Sequence, residues 1–156
     1  MCCCLTRTLL LAQYVELLDS VFMVLRKKHD QLSFLHCYHH CLLIWAWLLV
    51  LRTSGCVDAY FGCGCNAAIH VLMYSYYLLA ALGVRCAWKR YLTVAQMAQF
   101  VACAAHSLVV LATPGACPAS LPLTQLWVML NMLFLFGRFY QKQYAISGAS
   151  ARQKAA

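Results

Sequence analysis

Three histidines crowd one short stretch of this chain: His36, His39 and His40. Each helical residue turns about 100°, so spacings of three and four put all three rings on one face, while Cys37 and Cys41 turn away from it. An imidazole with an ordinary pKa of about 6.5 can act as nucleophile, general acid, general base or metal ligand. This cluster is the first candidate for chemistry. Carboxylates come next: Gln13, Glu16 and Asp19 recur every three residues, with Ser20 beside them. A third stripe carries Asn66, His70, Tyr74 and Tyr77, and a fourth carries Thr93, Gln96, Gln99 and, deeper, His106.

These stripes lie inside apolar segments. The sequence divides into five, at about residues 5–25, 34–52, 60–84, 92–113 and 121–144, separated by polar, basic or Pro/Gly-containing joints. Each segment is long enough to cross roughly 30 Å of hydrocarbon as a helix. Of the 156 residues, 64% are hydrophobic and 10% are charged, against roughly 25% charged in a soluble domain. The mean hydropathy is +0.71. Such a chain cannot cover itself with polar surface, so lipid is part of its solvent. The expected fold is all-α, a polytopic membrane protein of about five transmembrane helices.

In that setting the stripes carry information. A central Asp costs about 2.5–3.5 kcal/mol on insertion scales, so the polar faces must meet one another rather than lipid. A hydrogen-bonded seam that glues helices would account for amides and hydroxyls. It does not require three histidines and two carboxylates, and a functional site does.

Charge sets the orientation. Arg26, Lys27, Lys28, Arg85, Lys89, Arg90, Arg138, Lys142, Arg152 and Lys154 fall on one side of the membrane, leaving Arg7 and Arg52 for the other. The positive-inside rule then predicts a lumenal N-terminus and a cytosolic C-terminus. The formal charge of +8 is split among loops and does not describe a nucleic-acid surface. No linker interrupts the chain, so residues 1–145 read as one domain, followed by a disordered tail over 146–156. Arg7, Glu16 and Asp19 argue against a signal peptide. Most of the 11 cysteines read as small hydrophobes. Cys63 and Cys65 lack the spacing of a redox or zinc pair, and Cys56 and Cys117 share the predicted lumenal side, where they can pair.

Four ordered blocks carry a family likeness: QYVELLDS at 13–20, QLSFLHCYHH at 31–40, NAAIHVLMYSYY at 66–77 and TVAQMAQ at 93–99. They resemble the signature blocks of the ELO fatty acid elongases in order and spacing, as do VFMVLRKK before the histidines and FGRFYQKQY near the end. The likeness covers about residues 10–145. Gln13 stands where the family pattern has lysine, and Ser20 stands for threonine, keeping the hydroxyl. The resemblance implies a helical barrel around a narrow acyl tunnel, of which this chain forms part. Because the family usually has seven spans, it also implies that the first two are absent.

The implied reaction condenses a long-chain acyl-CoA with malonyl-CoA in the endoplasmic reticulum membrane, releasing CO2 and CoA and giving a 3-ketoacyl-CoA. By that analogy His39 is the nucleophile that forms an acyl-imidazole. His36 and His40 orient it or move protons, His70 and Asn66 stabilise the enolate or thioester oxygen, and Glu16 and Asp19 fix the imidazole tautomers. Tyr74, Tyr77, Gln96 and Gln99 are expected on the substrate's path. No cofactor or metal is expected. The expected partners are acyl-CoA, malonyl-CoA and membrane lipid, with other enzymes of the elongation cycle or a second copy of the chain as further candidates. Three alternatives stand beside this reading. The chain can be a truncated, non-catalytic relative. Its HxxHH box can belong to a di-iron desaturase or hydroxylase, although those sites use about eight histidines and this chain has six. Or Cys37 or Cys41 can be the nucleophile, although both lie off the histidine face.

Overall fold

A computed structural model describes residues 33–53, 59–113, 115 and 118–145, together with 11, 14, 16–18, 20, 21, 23–25 and 27 near the N-terminus. All regular structure among them is helical. Four long helices follow one another: α1 (Phe34–Arg52), α2 (Ala59–Ala81), α3 (Lys89–Ala112) and α4 (Ser120–Tyr140), the last running into a π-helical turn over Gln141–Ala145. The described residues between 11 and 25 are helical as well.

Local chemistry sets the boundaries. Ser33 is the N-cap of α1, and its side chain accepts a bond from the His36 backbone N–H at 3.3 Å, as N-cap hydroxyls do. That cap starts the helix three residues before the first histidine. At the other end, Thr53 donates its hydroxyl to the Leu49 carbonyl at 2.8 Å. Helix α2 stops three residues before its apolar segment does. Gly83 takes φ +78°, its N–H reaches the Ala80 carbonyl, and the Val84 N–H reaches the Leu79 carbonyl. This is the paired bonding of a Schellman turn, and it ends the helix while the sequence is still apolar. Pro122 falls in the first turn of α4, where its missing N–H would have no partner in the helix.

The helices hold 19, 23, 24 and 21 residues, or about 28–36 Å at 1.5 Å per residue. Helices α3 and α4 have membrane-spanning hydropathy, averaging 1.6 and 1.4, yet only 22% and 28% of their most apolar stretches are buried. The core helix of a soluble protein would be mostly covered. Here Trp45, Trp127, Leu108, Leu130 and Phe134 face outward, which fits lipid. The chain is an all-α membrane protein.

Helix α1 packs on α4, α4 on α3, and α3 on α2, with α3–α4 the most extensive pair. Cys103 and Ser107 from α3 and Val128 and Met132 from α4 are fully buried, small and large side chains alternating as close helix contact in a membrane requires. Phe100 meets Phe136 edge-on at 5.1 Å, and Leu42 and Leu43 of α1 join the same cluster. At the ends, Trp88 packs on Tyr76 at 5.5 Å across the α2–α3 joint, and Arg90 Nε donates to the Tyr140 hydroxyl at 2.7 Å.

Candidate active site

The cap at Ser33 sets the register that the histidines need. Their rings form a chain of edge contacts, with His36 to His40 at 4.5 Å and His39 to His40 at 5.2 Å. His40 is buried between the other two. His36 Nε2 shares a hydrogen bond with Ser20 Oγ at 2.8 Å, which ties α1 to the N-terminal segment. On α2, His70 Nε2 lies 3.5 Å from Glu16 Oε1, both side chains largely covered. The N-terminal segment therefore bridges α1 and α2, one turn apart, through a hydroxyl and a carboxylate.

Of the three clustered histidines, only His39 reaches the wall of the central cavity. That cavity runs between all four helices and contains about 950 Å³ of atom-free space, counting its open part. Asn66 from α2 and Gln99 from α3 share the wall with His39, and beyond them it is mainly apolar: Leu43, Ala46, Trp47, Phe100, Val128 and Met129. An imidazole and two amides at one level, with a long apolar wall beyond them, make a pocket that is polar at one end and apolar along its length.

Other expected residues fall elsewhere. Tyr74 and Tyr77 are 40% and 49% exposed and lie outside the cavity lining. Tyr74 stands 5.9 Å from the His70 ring and 6.4 Å from Tyr77, so the tyrosines extend the histidine side of the site. Gln96 is half-buried and outside the lining. Asp19 and Gln13 lie outside the described residues, as do Cys56 and Cys117. Cys37 and Cys41 are exposed, off the histidine face as their spacing predicts. Among the described residues, no three His, Cys, Asp or Glu side chains converge on a point that could hold a metal ion.

The cavity also holds residues that the motifs did not single out. Gln125, Thr124, Ser107 and Gly62 line its far part with His106. The signal for Gln125 was an amide in an apolar segment with no polar residue three or four places away to complete a stripe.

The profile of the GNS1/SUR4 (ELO) family matches residues 3–153. The chain belongs to this family. Among its relatives in the GNS1/SUR4 family, "Fatty acid elongase 5" of Leishmania major is 41% identical over 132 residues, covering 83% of this chain and 53% of that protein. "Very long chain fatty acid elongase 4" of Macaca mulatta is 41% identical over 134 residues, 83% of this chain and 43% of that protein. "Very long chain fatty acid elongase 2" of Mus musculus is 40% identical over 136 residues, 85% and 47%. This family member thus spans about half the length of the curated relatives it matches.

Proposed function

We propose that this chain carries the condensing site of a fatty acid elongase, joining an acyl-CoA to malonyl-CoA through an acyl group held on His39. The observation that supports it best is the position of His39, the one clustered histidine at the wall of an apolar cavity. A neutral imidazole nitrogen attacks the thioester carbonyl, the C–S bond breaks, and CoA leaves as the thiolate with the proton that the ring gives up. Malonyl-CoA then loses CO2 as its carboxyl C–C bond breaks. The resulting enolate attacks the acyl carbon, the C–N bond breaks to give the 3-ketoacyl-CoA, and the departing ring nitrogen takes one proton from water, which restores neutral His39.

The neighbouring residues have stated tasks. Asn66, on the same wall, offers an amide N–H to the oxygen that gains charge. Ser20 fixes the ring of His36, and Glu16 fixes that of His70, so the imidazoles next to the reaction hold one orientation. The site would open toward the cytosol in an endoplasmic reticulum membrane, with the C-terminus on that side. Mixing the purified protein with labelled acyl-CoA alone should release CoA and leave a labelled adduct in the peptide that contains residues 34–52. His39→Ala should abolish the adduct, and Cys37→Ala and Cys41→Ala should keep it. An adduct that survives His39→Ala overturns the proposal.

A further inference from the structure

The cavity does not stay apolar to its end. Register places a second polar group there: Gln125 Nε2 of α4 donates to the Cys103 carbonyl of α3 at 3.5 Å, and His106 follows three residues later. Seven residues separate Gln99 from His106, so the second group lies about 10 Å along α3 from the level of the reacting end. Leu121, Pro122 and Val110 close the wall beyond it.

We propose that this far group is a seat for an acyl chain bearing a hydrogen-bonding substituent, such as a hydroxyl, in its distal half. The inference rests on the elongase reading for the chain's head group and adds a substrate class to it. The His106 ring is stacked on Phe61 at 4.4 Å and 15°, a contact that covers one face of the ring and not the edge that carries its nitrogens. Among the described residues, neither nitrogen has a hydrogen-bond partner. The Gln125 amide has two donors and an acceptor, of which the Cys103 carbonyl engages one donor at the limit of bonding distance. Ser107 and Thr124 donate their protons to carbonyls of their own helices, at 2.9 and 2.7 Å, and keep oxygen lone pairs to accept with. A hydroxyl both donates and accepts, so it suits an amide N–H on one side and an imidazole nitrogen or hydroxyl oxygen on the other.

Gly62 preserves the room. A Cβ there would come within 3.3 Å of Gln125 Nε2, tighter than ordinary contact. A plain hydrocarbon chain, by contrast, would strip water from the amide and the imidazole and return nothing. Sites built to hydrogen-bond a hydroxyl reject the analogue that lacks it.

The test is equilibrium binding of acyl-CoAs of one length to the purified full chain, with a hydroxyl walked from the carboxyl end to the terminus. Binding should tighten roughly tenfold at distal positions and nowhere near the head group. Gln125→Leu and His106→Phe should erase the preference. Gly62→Ala, which crowds the amide without removing it, should weaken the preference in part. Equal binding at every hydroxyl position would overturn the proposal and leave the far group to water. Condensation with malonyl-CoA, measured on the same chains, separates the two ideas. Turnover without a hydroxyl preference sinks this one alone, and a preference without turnover sinks the elongase reading alone.

Discussion

The α3–α4 pair and the α1–α2 side of the molecule are held by different forces. Between α3 and α4 most contacts are buried and apolar, with Cys103, Val128 and Met132 closed off entirely and Phe100 set against Phe136; the polar ones are Gln125 to the Cys103 carbonyl and Arg90 to Tyr140. On the other side, the N-terminal segment joins α1 and α2 through polar pairs, Ser20 with His36 and Glu16 with His70. In lipid, apolar burial adds no hydrophobic drive between helices, so close packing is what places α3 against α4. Polar pairs are fewer and directional, and they set ring orientation more than helix position. Under the proposed function one side is scaffold and the other is machinery, so substitutions in the two should fail differently.

The largest effect belongs to the scaffold. Met132→Ala should destabilise the protein at the lower end of the ~2–5 kcal/mol seen for such truncations, because the separated helices also bury that side chain against lipid tails. Thermal unfolding of purified protein checks this against Leu130→Ala, whose side chain faces outward on the same helix. Equal shifts for the two would erase the distinction between packed and lipid faces.

On the machinery side, Glu16→Gln should leave the unfolding temperature nearly unchanged and cut condensation by roughly tenfold to a hundredfold, as loss of a histidine's orienting partner does. A large fall in stability with unchanged activity would assign Glu16 to the scaffold instead. Ser20→Ala removes one hydrogen bond to His36, worth about 1 kcal/mol, and should lower turnover several-fold. Ser20→Thr, which keeps the hydroxyl, should restore it. The smallest effect is expected at Tyr140→Phe. This change removes the acceptor of Arg90 at an exposed end, where such pairs contribute little, and neither stability nor rate should move measurably.

Much of the candidate site's arrangement was legible because its periodicity is short-range. The three- and four-residue spacing of His36, His39 and His40 fixes one helical face whatever surrounds it, and the 3.3 Å cap at Ser33 starts that helix where the apolar segment begins. Glu16 was readable as a carboxylate that must face other polar groups. That it meets His70 depends on how two helices stand together, which spacing along either one does not contain. The end of α2 was misplaced by three residues because apolar length was followed past Gly83, whose positive φ closes the helix. Tyr74 and Tyr77 share the stripe of His70, but the cavity wall is drawn by four helices at once. For the same reason Gln125 escaped notice: its meaning comes from the Cys103 carbonyl and Gly62, on two other helices.

The order of the helices around the cavity has a consequence in time. Helix α1 leans on α4, yet α2, α3 and their joints lie between them in the sequence. At roughly 5–20 residues per second, a ribosome needs several seconds to supply that interval. During those seconds α1 is in the bilayer with its histidines but without the wall that will enclose them. The N-terminal segment is already made. Its Ser20 can reach His36 at once, and Glu16 waits only for α2 to bring His70. The polar pairs that orient the site are thus the first contacts available to these histidines, and they can hold the imidazoles out of hydrocarbon until the last helix arrives.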